Sequence, residues 1–515
     1  MSILLFNQYF TSDEKLGEKI FAVLPLNLLY LGSFLQSKNL KCKIYELGAF
    51  DSDESVVEGD RIRYGLSDDK ITEIIEKEKP KIIGLSCMYS RHYIDVVNIA
   101  MLIKRINPTI KVVTGGNHAT DLCEFVLKNN YFDFVVRGEG EITFYELCIA
   151  ILAGEKDFLN IKGLAYKHNG VIIKTKNREL VSNLDDLPPL NYSLVDLKKY
   201  LEYSKSPYTI RPPVMSITSS RGCPGNCVYC TVRAVWGRTW RAKSAVRTVD
   251  EIEHLYRDYG VEEFSFLDDS ASVNKKRWNE ICDEIIKRKL DIKWSTPNGV
   301  AHWTLDKPTL LKMKQSGCYR ITFGIESGDI EMRKFIGKPY PLAQAKELIQ
   351  YANRIGLWTI CTNIIGFPYE TREQMKNTVE FAKKSGTDFA AFYSLCPMPT
   401  SEVYQYFKKE GLLNFDHIFG NKTFDVLKYE EMNKMLNDGA APTIYFKPEE
   451  LKYVVANAYK SFIIYRAFTF LNPLRVIRKI NSIEDLKYAS GLGFTGIKLL
   501  IKSFYKRTTQ SLLRG

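Results

Sequence analysis

Three cysteines lie within eight residues of one another and are the strongest candidates for chemistry in this chain of 515 residues. The segment reads RGCPGNCVYC, so Cys223, Cys227 and Cys230 follow the spacing Cys-x3-Cys-x2-Cys directly after a strand-like stretch. Three thiolates on one loop can ligate three irons of a cubane and leave the fourth iron open for a reacting molecule. A structural zinc knuckle is the alternative, but it needs a fourth Cys or His, and the closest histidine is His254. The spacing therefore predicts a catalytic iron–sulfur cluster.

The other potential ligands do not form a second site in the sequence. Five cysteines fall in apolar strand or helix patterns and are predicted to be core thiols: Cys87, Cys123, Cys148, Cys282 and Cys361. Cys318 and Cys396 stand near predicted strand ends, and the six histidines are scattered along the chain. The glycine motifs of ATP hydrolysis and of dinucleotide binding are absent from the sequence, so neither chemistry is expected.

The composition is typical of a globular enzyme in a reducing compartment. Eleven cysteines are too few for a disulfide scaffold in a chain of this length, and the crowding of three of them favours metal binding. The sequence shows no signal-peptide pattern and no apolar run of the roughly 18 residues that span a bilayer, so we expect a cytoplasmic protein. Residues 451–515 carry +10 of the net charge of +12, and the charge is therefore no general sign of nucleic-acid binding.

The elements that must position the cysteine loop are predicted to form an α/β protein in four parts. Residues 1–150 alternate short, fully apolar strands with helices, which is typical of a doubly wound parallel sheet. Residues 151–213 form a connector with a hairpin that turns at Asn169-Gly170. A second alternation over 214–410 predicts a partial or full parallel barrel, and residues 411–515 form a helical, basic region. Ligands of such sheets bind beyond the carboxyl ends of the strands.

From residue 214 onwards the chain resembles the radical S-adenosylmethionine (SAM) superfamily. Cys-x3-Cys-x-aromatic-Cys after the first barrel strand is the signature of that family, with Tyr229 as the aromatic residue. Three further segments match it: Gly324-Ile325-Glu326-Ser327-Gly328, which resembles the SAM-binding strand end; Gly366-Phe367-Pro368 with Glu370-Thr371, which resembles the GFP-x-E-T segment; and Asp268-Asp269.

This resemblance implies a [4Fe–4S] cluster on the three cysteines, with SAM chelated to the open iron. Reductive cleavage of SAM would then give methionine and a 5′-deoxyadenosyl radical that abstracts hydrogen from a substrate. Tyr229 is expected near the adenine, and Glu326 near the SAM methionine or ribose, with Gly324 and Ser327 in the same site. A structural ion pair at the barrel mouth is the alternative for Glu326. The cationic residues around the loop, from Arg221 to Lys243, are candidates for binding the SAM carboxylate or an anionic substrate.

Residues 1–150 resemble the cobalamin-binding domain that precedes some radical SAM barrels. That family carries Ser-x-Leu and, 26 to 28 residues later, Gly-Gly; here Ser86-Cys87-Met88 is followed by Gly115-Gly116. Small residues suit a slot for the nucleotide tail of cobalamin. His118 and the segment Gly138-Glu139-Gly140 also match, and we expect His118 to pack or hydrogen-bond near the tail rather than to bind metal. The Asp-x-His-x2-Gly motif that supplies a lower cobalt ligand is missing, so we predict no protein histidine on cobalt. A domain that kept the fold and lost the ligand is the alternative.

The combined resemblance is to the class that includes cobalamin-dependent methyltransferases and the anaerobic magnesium-protoporphyrin IX monomethyl ester cyclase. It implies methyl transfer to an unactivated carbon of a small-molecule or lipid substrate, with flavodoxin or ferredoxin as the electron donor. An oxidative cyclase or another radical rearrangement is the first alternative. An RNA methylthiotransferase is disfavoured, because the N-terminal cysteines are too far apart for a second cluster. A non-catalytic cluster-binding protein is the third.

The basic C-terminal region contains two stretches in which apolar and aromatic residues recur at helical spacing, 459–480 and 496–507. Such stretches suit an interfacial helix on acidic lipid head groups, or a cover over the open end of the barrel. Peripheral membrane contact is thus one expectation for this region, and nucleic-acid contact is disfavoured.

Overall fold

The fold is taken from a computed structural model. The structure describes residues 2–12, 23–50, 54–58, 61–204, 209–338, 340–421, 424–437, 440–470 and 476–492. The second predicted amphipathic stretch, 496–507, lies outside the described residues, as does part of the first.

Short strands and helices alternate along most of the chain. The strands are β1 (Ile3–Asn7), β2 (Phe10–Ser12), β3 (Cys42–Glu46), β4 (Ser55–Glu58), β5 (Arg61–Tyr64), β6 (Ile82–Ser86), β7 (Lys111–Gly115), β8 (Phe134–Val136), β9 (Leu164–His168), β10 (Val171–Lys174), β11 (Val214–Ile217), β12 (Ser220–Arg221), β13 (Arg241–Ala242), β14 (Glu263–Phe266), β15 (Lys293–Val300), β16 (Cys318–Glu326), β17 (Trp358–Ile365) and β18 (Phe389–Ser394).

The helices are α1 (Leu26–Ser37), α2 (Asp68–Glu78), α3 (Tyr93–Ile106), α4 (Asn117–Asp121), α5 (Cys123–Lys128), α6 (Gly140–Ala153), α7 (Leu197–Tyr203), α8 (Val232–Trp236), α9 (Ala245–Tyr259), α10 (Lys275–Lys287), α11 (Lys307–Gln315), α12 (Ile330–Ile336), α13 (Leu342–Arg354), α14 (Arg372–Lys384), α15 (Glu402–Lys409), α16 (Asp416–Phe419), α17 (Val426–Asn437) and α18 (Pro448–Phe470).

These elements form two units, each assembled from separated stretches of chain. The N-terminal unit contains residues 1–204, 231–242 and 414–437, and the barrel unit contains residues 205–230, 243–413 and 438–515. The chain therefore returns to the N-terminal unit directly after Cys230 and again after residue 413. The four-part division expected from the sequence remains a prediction.

The N-terminal unit is built on a seven-stranded sheet of order β10-β9-β8-β7-β6-β1-β3. Its central strands pair in parallel, and β1 lies between β3 and β6. The run Ile3 to Phe6 is buried throughout because helices cover both faces of the sheet. The expected hairpin is confirmed: Asn169 and Gly170 both have positive φ, and β9 and β10 extend the sheet as antiparallel strands. A small antiparallel sheet, β2-β5-β4, was not predicted.

The barrel unit is an open parallel sheet of six strands in the order β11-β14-β15-β16-β17-β18. Each connecting segment contains at least one helix, as is usual for the crossovers between parallel strands. Side chains cap several helix starts, including Ser244 before α9, Asn274 before α10 and Thr371 before α14. The predicted α/β class, with a doubly wound sheet, a partial barrel and a helical C-terminal region, is confirmed.

The end of the described chain packs against the beginnings of the barrel strands. The Tyr488 ring contacts those of Tyr319 and Trp358, with centroids 5.6 and 5.8 Å apart, and the fully buried Lys479 pairs with Asp388 before β18. Residues 476–492 thus close the amino-terminal end of this sheet rather than the end at which ligands bind. None of the helices in the described part of the chain combines the length and apolar composition needed to span a bilayer.

Candidate active site

The loop from Gly222 to Cys230, called the cluster loop, is held at its start by two acidic side chains. Asp268, which follows β14, accepts hydrogen bonds from the Ser219 amide at 3.1 Å and from the Ser219 hydroxyl at 2.8 Å. Asp269 accepts one from the Gly222 amide at 3.1 Å, where the backbone has φ of +84°. The Asp268-Asp269 pair therefore shapes the entry to the loop.

The middle of the cluster loop rests on the end of α12. The Val228 amide donates to the Ile336 carbonyl at 3.0 Å, and the Val228 carbonyl accepts from the Val403 amide at 2.7 Å. A Cβ on Gly337 would collide with the Asn226 carbonyl, so only glycine permits this close approach. The backbone of the loop is thus fixed by contacts with α12 and with Val403.

The cysteine side chains of the cluster loop stay partly exposed. A Cβ on Gly225 would lie 3.3 Å from the Cys223 sulfur and 3.8 Å from the Cys227 sulfur, so these two sulfurs converge over one glycine. The Gly225 amide is 3.4 Å from the Cys223 sulfur and points a donor at it. Within the described residues, no three Cys, His, Asp or Glu side chains close around a single metal ion. A cubane is gripped at three separate corners, so its thiolates need not converge on one point.

A buried polar chain of Tyr229, Glu326 and Lys338 lies beside the cluster loop. The Glu326 carboxylate accepts from the Lys338 ammonium at 2.8 Å, and both side chains are largely buried. The Tyr229 hydroxyl hydrogen-bonds with Glu326 and with the Cys227 thiol. Burial raises the pKa of Cys227, and the positive charge of Lys338 opposes that rise. These three side chains therefore connect the sulfur of Cys227 to the buried ammonium of Lys338.

Strain at the end of β16 supports this arrangement. Glu326 adopts φ of +65°, which a non-glycine residue rarely takes. A Cβ on Gly324 would lie 2.9 Å from the Glu326 carboxylate and 3.2 Å from the Lys338 nitrogen, so glycine leaves room for the ion pair. Unlike Asn169, which has positive φ in a hairpin turn, Glu326 takes it at the end of a central strand, and strain at such a position is common in functional sites.

The N-terminal unit has small residues and open space at the carboxyl ends of its strands. Ser86, the last residue of β6, lies in register with Gly115. Its hydroxyl accepts a hydrogen bond from the side-chain amide of Asn27 at 2.8 Å. Gly116 has φ of +107°, and a Cβ there would lie 2.7 Å from the Cys87 carbonyl. Gly138, at φ of +74°, would have nothing within 4 Å of its Cβ. Backbone segments thus approach closely at Gly116, and the structure leaves space beside Gly138. We call this edge of the sheet, with its small residues, the slot.

His118 is buried next to this slot in an aromatic environment. Its Nδ1 lies 2.8 Å from the Ser90 hydroxyl, and its ring is 4.5 Å from that of Tyr93. Its Nε2 is buried without a partner, and burial lowers the pKa of the ring to about 3. His118 is therefore a neutral, packed imidazole with one unused nitrogen.

Glu139 is committed to a buried ion pair within the N-terminal unit. Its carboxylate accepts from the Arg241 guanidinium at 2.9 and 3.0 Å and from the Val181 amide at 2.7 Å. Gly140 begins α6, where a Cβ would press on Leu31 at 2.9 Å. Glu139 thus ties the segment that follows the cluster loop to the turn after β8.

Family comparisons agree with both sites. Residues 21–148 match the B12 binding domain, and residues 217–382 match the Radical SAM superfamily. Together these matches span more than half of the chain. The chain belongs to the B12-binding radical SAM enzymes.

Two curated relatives align over most of this enzyme. "Uncharacterized methyltransferase PH0819" of Pyrococcus horikoshii is 33% identical over 457 residues, which is 88% of this chain and 90% of the relative. Cytidylyl-2-hydroxyethylphosphonate methyltransferase of Streptomyces wedmorensis is 28% identical over 425 residues, covering 76% and 79%. The solved structure of TsrM from Kitasatospora setae, a radical SAM methyltransferase with cobalamin and a [4Fe–4S] cluster, matches with a TM-score of 0.65 at 16% identity, covering 80% and 78%. The last likeness supports the fold.

The cofactor set of this B12-binding radical SAM enzyme is the predicted one: a [4Fe–4S] cluster, SAM and cobalamin. The residues fit the groups. Three partly exposed thiols on a backbone-anchored loop suit a cubane with one open corner. The glycine-lined slot and the unused Nε2 of His118 suit the tail of a corrinoid.

The structure separates the predicted site residues into two kinds. Those beside the cluster loop or the slot are Cys223, Cys227, Cys230, Tyr229, Gly324, Glu326, Ser86, Gly115, Gly116, His118 and Gly138. Three others have structural contacts: Ser327 is 3.2 Å from the Thr378 hydroxyl, Glu139 pairs with Arg241, and Gly140 packs on α1. Assignment of each residue to a cofactor remains a prediction.

Two residues at the barrel mouth escaped the sequence reasoning. Lys338 lies twelve residues after Glu326, and only its ion pair reveals it. His302 follows β15, is fully buried, and has no partner for either ring nitrogen; burial lowers its pKa to about 3. By contrast, Arg241 and Lys243, candidates for binding an anion, pair with Glu139 and Glu251.

Proposed function

We propose that this enzyme uses cobalamin and SAM to methylate an unactivated carbon of a small-molecule or lipid substrate. The single observation that carries the proposal is the alignment with a methyltransferase over 76% of this chain, which spans both cofactor domains. When bound, the cluster supplies the electron that cleaves SAM and the corrinoid supplies the methyl group. The remaining work of the protein is to bind and orient these groups.

We assign Lys338 to the SAM carboxylate. Its ammonium is buried beside Cys227 and is paired with Glu326, so a second anion can share it without a large desolvation cost. Glu326 then holds the amino or ribose end of SAM, and the Tyr229 hydroxyl orients Glu326. The Tyr229 ring packs on Phe367 of the GFP-x-E-T segment, with centroids 6.3 Å apart, and this contact supports our assignment of that segment to a wall of the SAM site.

Radical SAM chemistry needs an electron donor, and we propose a flavodoxin or a ferredoxin. Contact with a membrane surface through the C-terminal region is a further proposal, supported by the exposed side chains of Tyr453 and Phe468 on α18. A lipid substrate would be consistent with it.

Two products of SAM test the proposal without knowledge of the substrate. Anaerobic enzyme reconstituted with iron, sulfide and cobalamin is incubated with SAM and dithionite, and S-adenosylhomocysteine and 5′-deoxyadenosine are quantified. A methyltransferase forms both, and S-adenosylhomocysteine depends on added cobalamin. Formation of 5′-deoxyadenosine alone would contradict methyl transfer and favour the cyclase alternative. The Cys227→Ala variant is the control for the radical reaction: it should lose 5′-deoxyadenosine, because the cluster supplies the electron that cleaves SAM.

A further inference from the structure

Three aromatic side chains meet at the surface of the barrel unit. They are Phe335 of α12, Tyr406 of α15 and Tyr369, which lies between β17 and α14. Each ring contacts the other two, with centroids 5.1 to 6.2 Å apart, and each side chain is partly exposed. Aromatic residues are enriched where proteins bind one another. We call these three residues the aromatic patch.

The two helices that carry the aromatic patch also hold the cluster loop. Ile336, which follows Phe335 on α12, accepts a hydrogen bond from the Val228 amide at 3.0 Å. Val403, one turn before Tyr406 on α15, donates its amide to the Val228 carbonyl at 2.7 Å. The backbone that carries the cysteines is therefore bonded directly to both elements of the patch, and all of these residues belong to the barrel unit.

A line of ring contacts continues from the aromatic patch to a cysteine. The Phe335 ring lies 6.2 Å from that of Phe367, and the Phe367 ring lies 6.3 Å from that of Tyr229. The Tyr229 hydroxyl in turn hydrogen-bonds with the Cys227 thiol. Only two side chains thus separate a partly exposed ring from a sulfur of the cluster loop. Since electron transfer weakens steeply with distance, a protein that reduces the cluster must dock at a surface as close as this one.

Exposed lysines border the aromatic patch on α12 and in the last turn of α15: Lys334, Lys408 and Lys409. Two carboxylates nearby are already engaged. Glu331 pairs with Lys334 at 2.8 Å. Glu410 accepts a hydrogen bond from the Tyr369 hydroxyl at 2.8 Å. An aromatic centre with lysines at its rim fits a partner with an acidic surface, because rim charges of opposite sign steer two proteins into register.

We propose that the aromatic patch and its lysines form the docking surface for the electron donor, a small acidic protein that carries a low-potential electron. The inference rests on the proposed function, because the cleavage of SAM requires this electron. One electron leaves the reduced donor and enters the oxidised cluster; no bond forms or breaks, and no proton moves in this step. Complexes of redox partners bury little surface, as a patch on two short helices allows.

The first test compares two sources of the electron. Formation of 5′-deoxyadenosine by the anaerobic holoenzyme is measured with dithionite, which needs no docking surface, and with a bacterial flavodoxin kept reduced by its reductase. Lys409→Glu should raise the KM for flavodoxin about 3- to 10-fold, because it reverses a rim charge, and leave the dithionite rate unchanged. Lys276→Glu, at an exposed lysine of α10, should behave as the parent with both sources. An unchanged KM in Lys409→Glu would overturn the proposal.

Cross-linking tests the docking without turnover. A carbodiimide joins carboxylates of the flavodoxin to lysines at the interface, and mass spectrometry of the peptides identifies those lysines. The cross-links should fall on Lys334, Lys408 or Lys409 and should weaken at high salt, which screens rim charges. Cross-links confined to other lysines, or none at all, would refute the surface. Product with neither electron source would contradict the SAM chemistry instead, and the cross-links would still decide the surface.

Discussion

The cysteine residues of this protein lie in two environments, the buried cores and the partly exposed cluster loop. Seven are buried in the two cores, where desolvation raises the pKa of thiols such as Cys42 and Cys282 to about 12 and keeps them protonated. The three of the cluster loop are partly exposed, and a backbone amide points at one of them. The spacing that predicted a cluster thus selects thiols that the structure leaves partly exposed, because a strand followed by a short loop leaves their side chains uncovered.

The Cys227→Ala variant should lose the cluster. Removal of one of three protein thiolates leaves a cubane with two corners unheld. We expect the anaerobic absorption near 400 nm and the iron content to fall at least tenfold, on the order of the effect of losing a metal ligand. Cys396→Ala is the matched control, since Cys396 is also partly exposed but lies after β18 and contacts Met398. Equal iron in both variants would refute the cluster assignment.

The Lys338→Met variant should bind SAM poorly and keep its cluster. The methionine fills the same space but leaves Glu326 as a buried, unpaired carboxylate that repels the SAM carboxylate. We expect the KM for SAM in 5′-deoxyadenosine formation to rise about 10- to 100-fold, equivalent to losing one charge-assisted hydrogen bond. Lys334→Met is the control, because Lys334 is exposed on α12 and pairs with Glu331. An unchanged KM in Lys338→Met would exclude the assigned role.

At the scale of elements, short runs of apolar residues were sufficient to predict the strands that are buried on both faces. The pattern predicted β6, β7, β16 and β17, and Asn169-Gly170 predicted the hairpin. It missed β15, whose sequence KWSTPNGV contains Pro297, Asn298 and Gly299 and therefore has the composition of a turn. These three residues lie at an irregularity in the register, and pairing of the residues on either side, up to Thr296 and at Val300, continues the strand past them. Local composition cannot report such tertiary pairing.

The turn after β17 depends on a buried carboxyl group. Glu370 accepts from the Gly366 amide at 2.7 Å and the Phe367 amide at 3.3 Å, and its other oxygen is buried without a partner. Burial raises its pKa from 4.5 to about 8. The glutamate of the GFP-x-E-T pattern therefore has a structural role in this turn, besides the role in SAM binding that we propose for the segment.

This carboxyl should make stability depend on pH. Between pH 4.5 and about 8 the folded chain retains a proton that the unfolded chain has released, so stability is fully present below this window and falls as pH rises through it. Glu370→Gln cannot ionise, so the stability of this variant relative to the parent should be about 4 kcal/mol higher at pH 9 than at pH 5. This follows from about 1.4 kcal/mol per pKa unit over the roughly three units of the window that lie above pH 5. Urea unfolding at both pH values measures the difference. A constant difference between the two proteins would contradict the protonated state.

At the scale of the whole molecule, the cysteine loop and the glycine-lined slot belong to different units. The sequence predicted both sites because each carries its own short motif. It could not predict that Glu139 and Arg241 pair, since 102 residues separate them and each had been assigned to a ligand.

The two cofactors should therefore load independently. Cys227→Ala is expected to lose the cluster and bind cobalamin normally. Gly116→Val, which forces a side chain against the Cys87 carbonyl in a backbone conformation suited to glycine, should lose most corrinoid and keep its iron. Iron and cobalt are quantified in each anaerobically purified protein. Joint loss of both metals in either variant would contradict independent sites.

The return of the chain to the N-terminal unit has a consequence for its synthesis on the ribosome. Tyr429 of α17 is fully buried, stacks on Phe125 at 5.6 Å and contacts the Tyr93 ring at 5.2 Å. Until that late segment has been translated, these aromatic surfaces have no cover, so the first domain to emerge is not the first to finish folding. A transplant of the cobalamin domain between relatives must carry residues 414–437 along with residues 1–204.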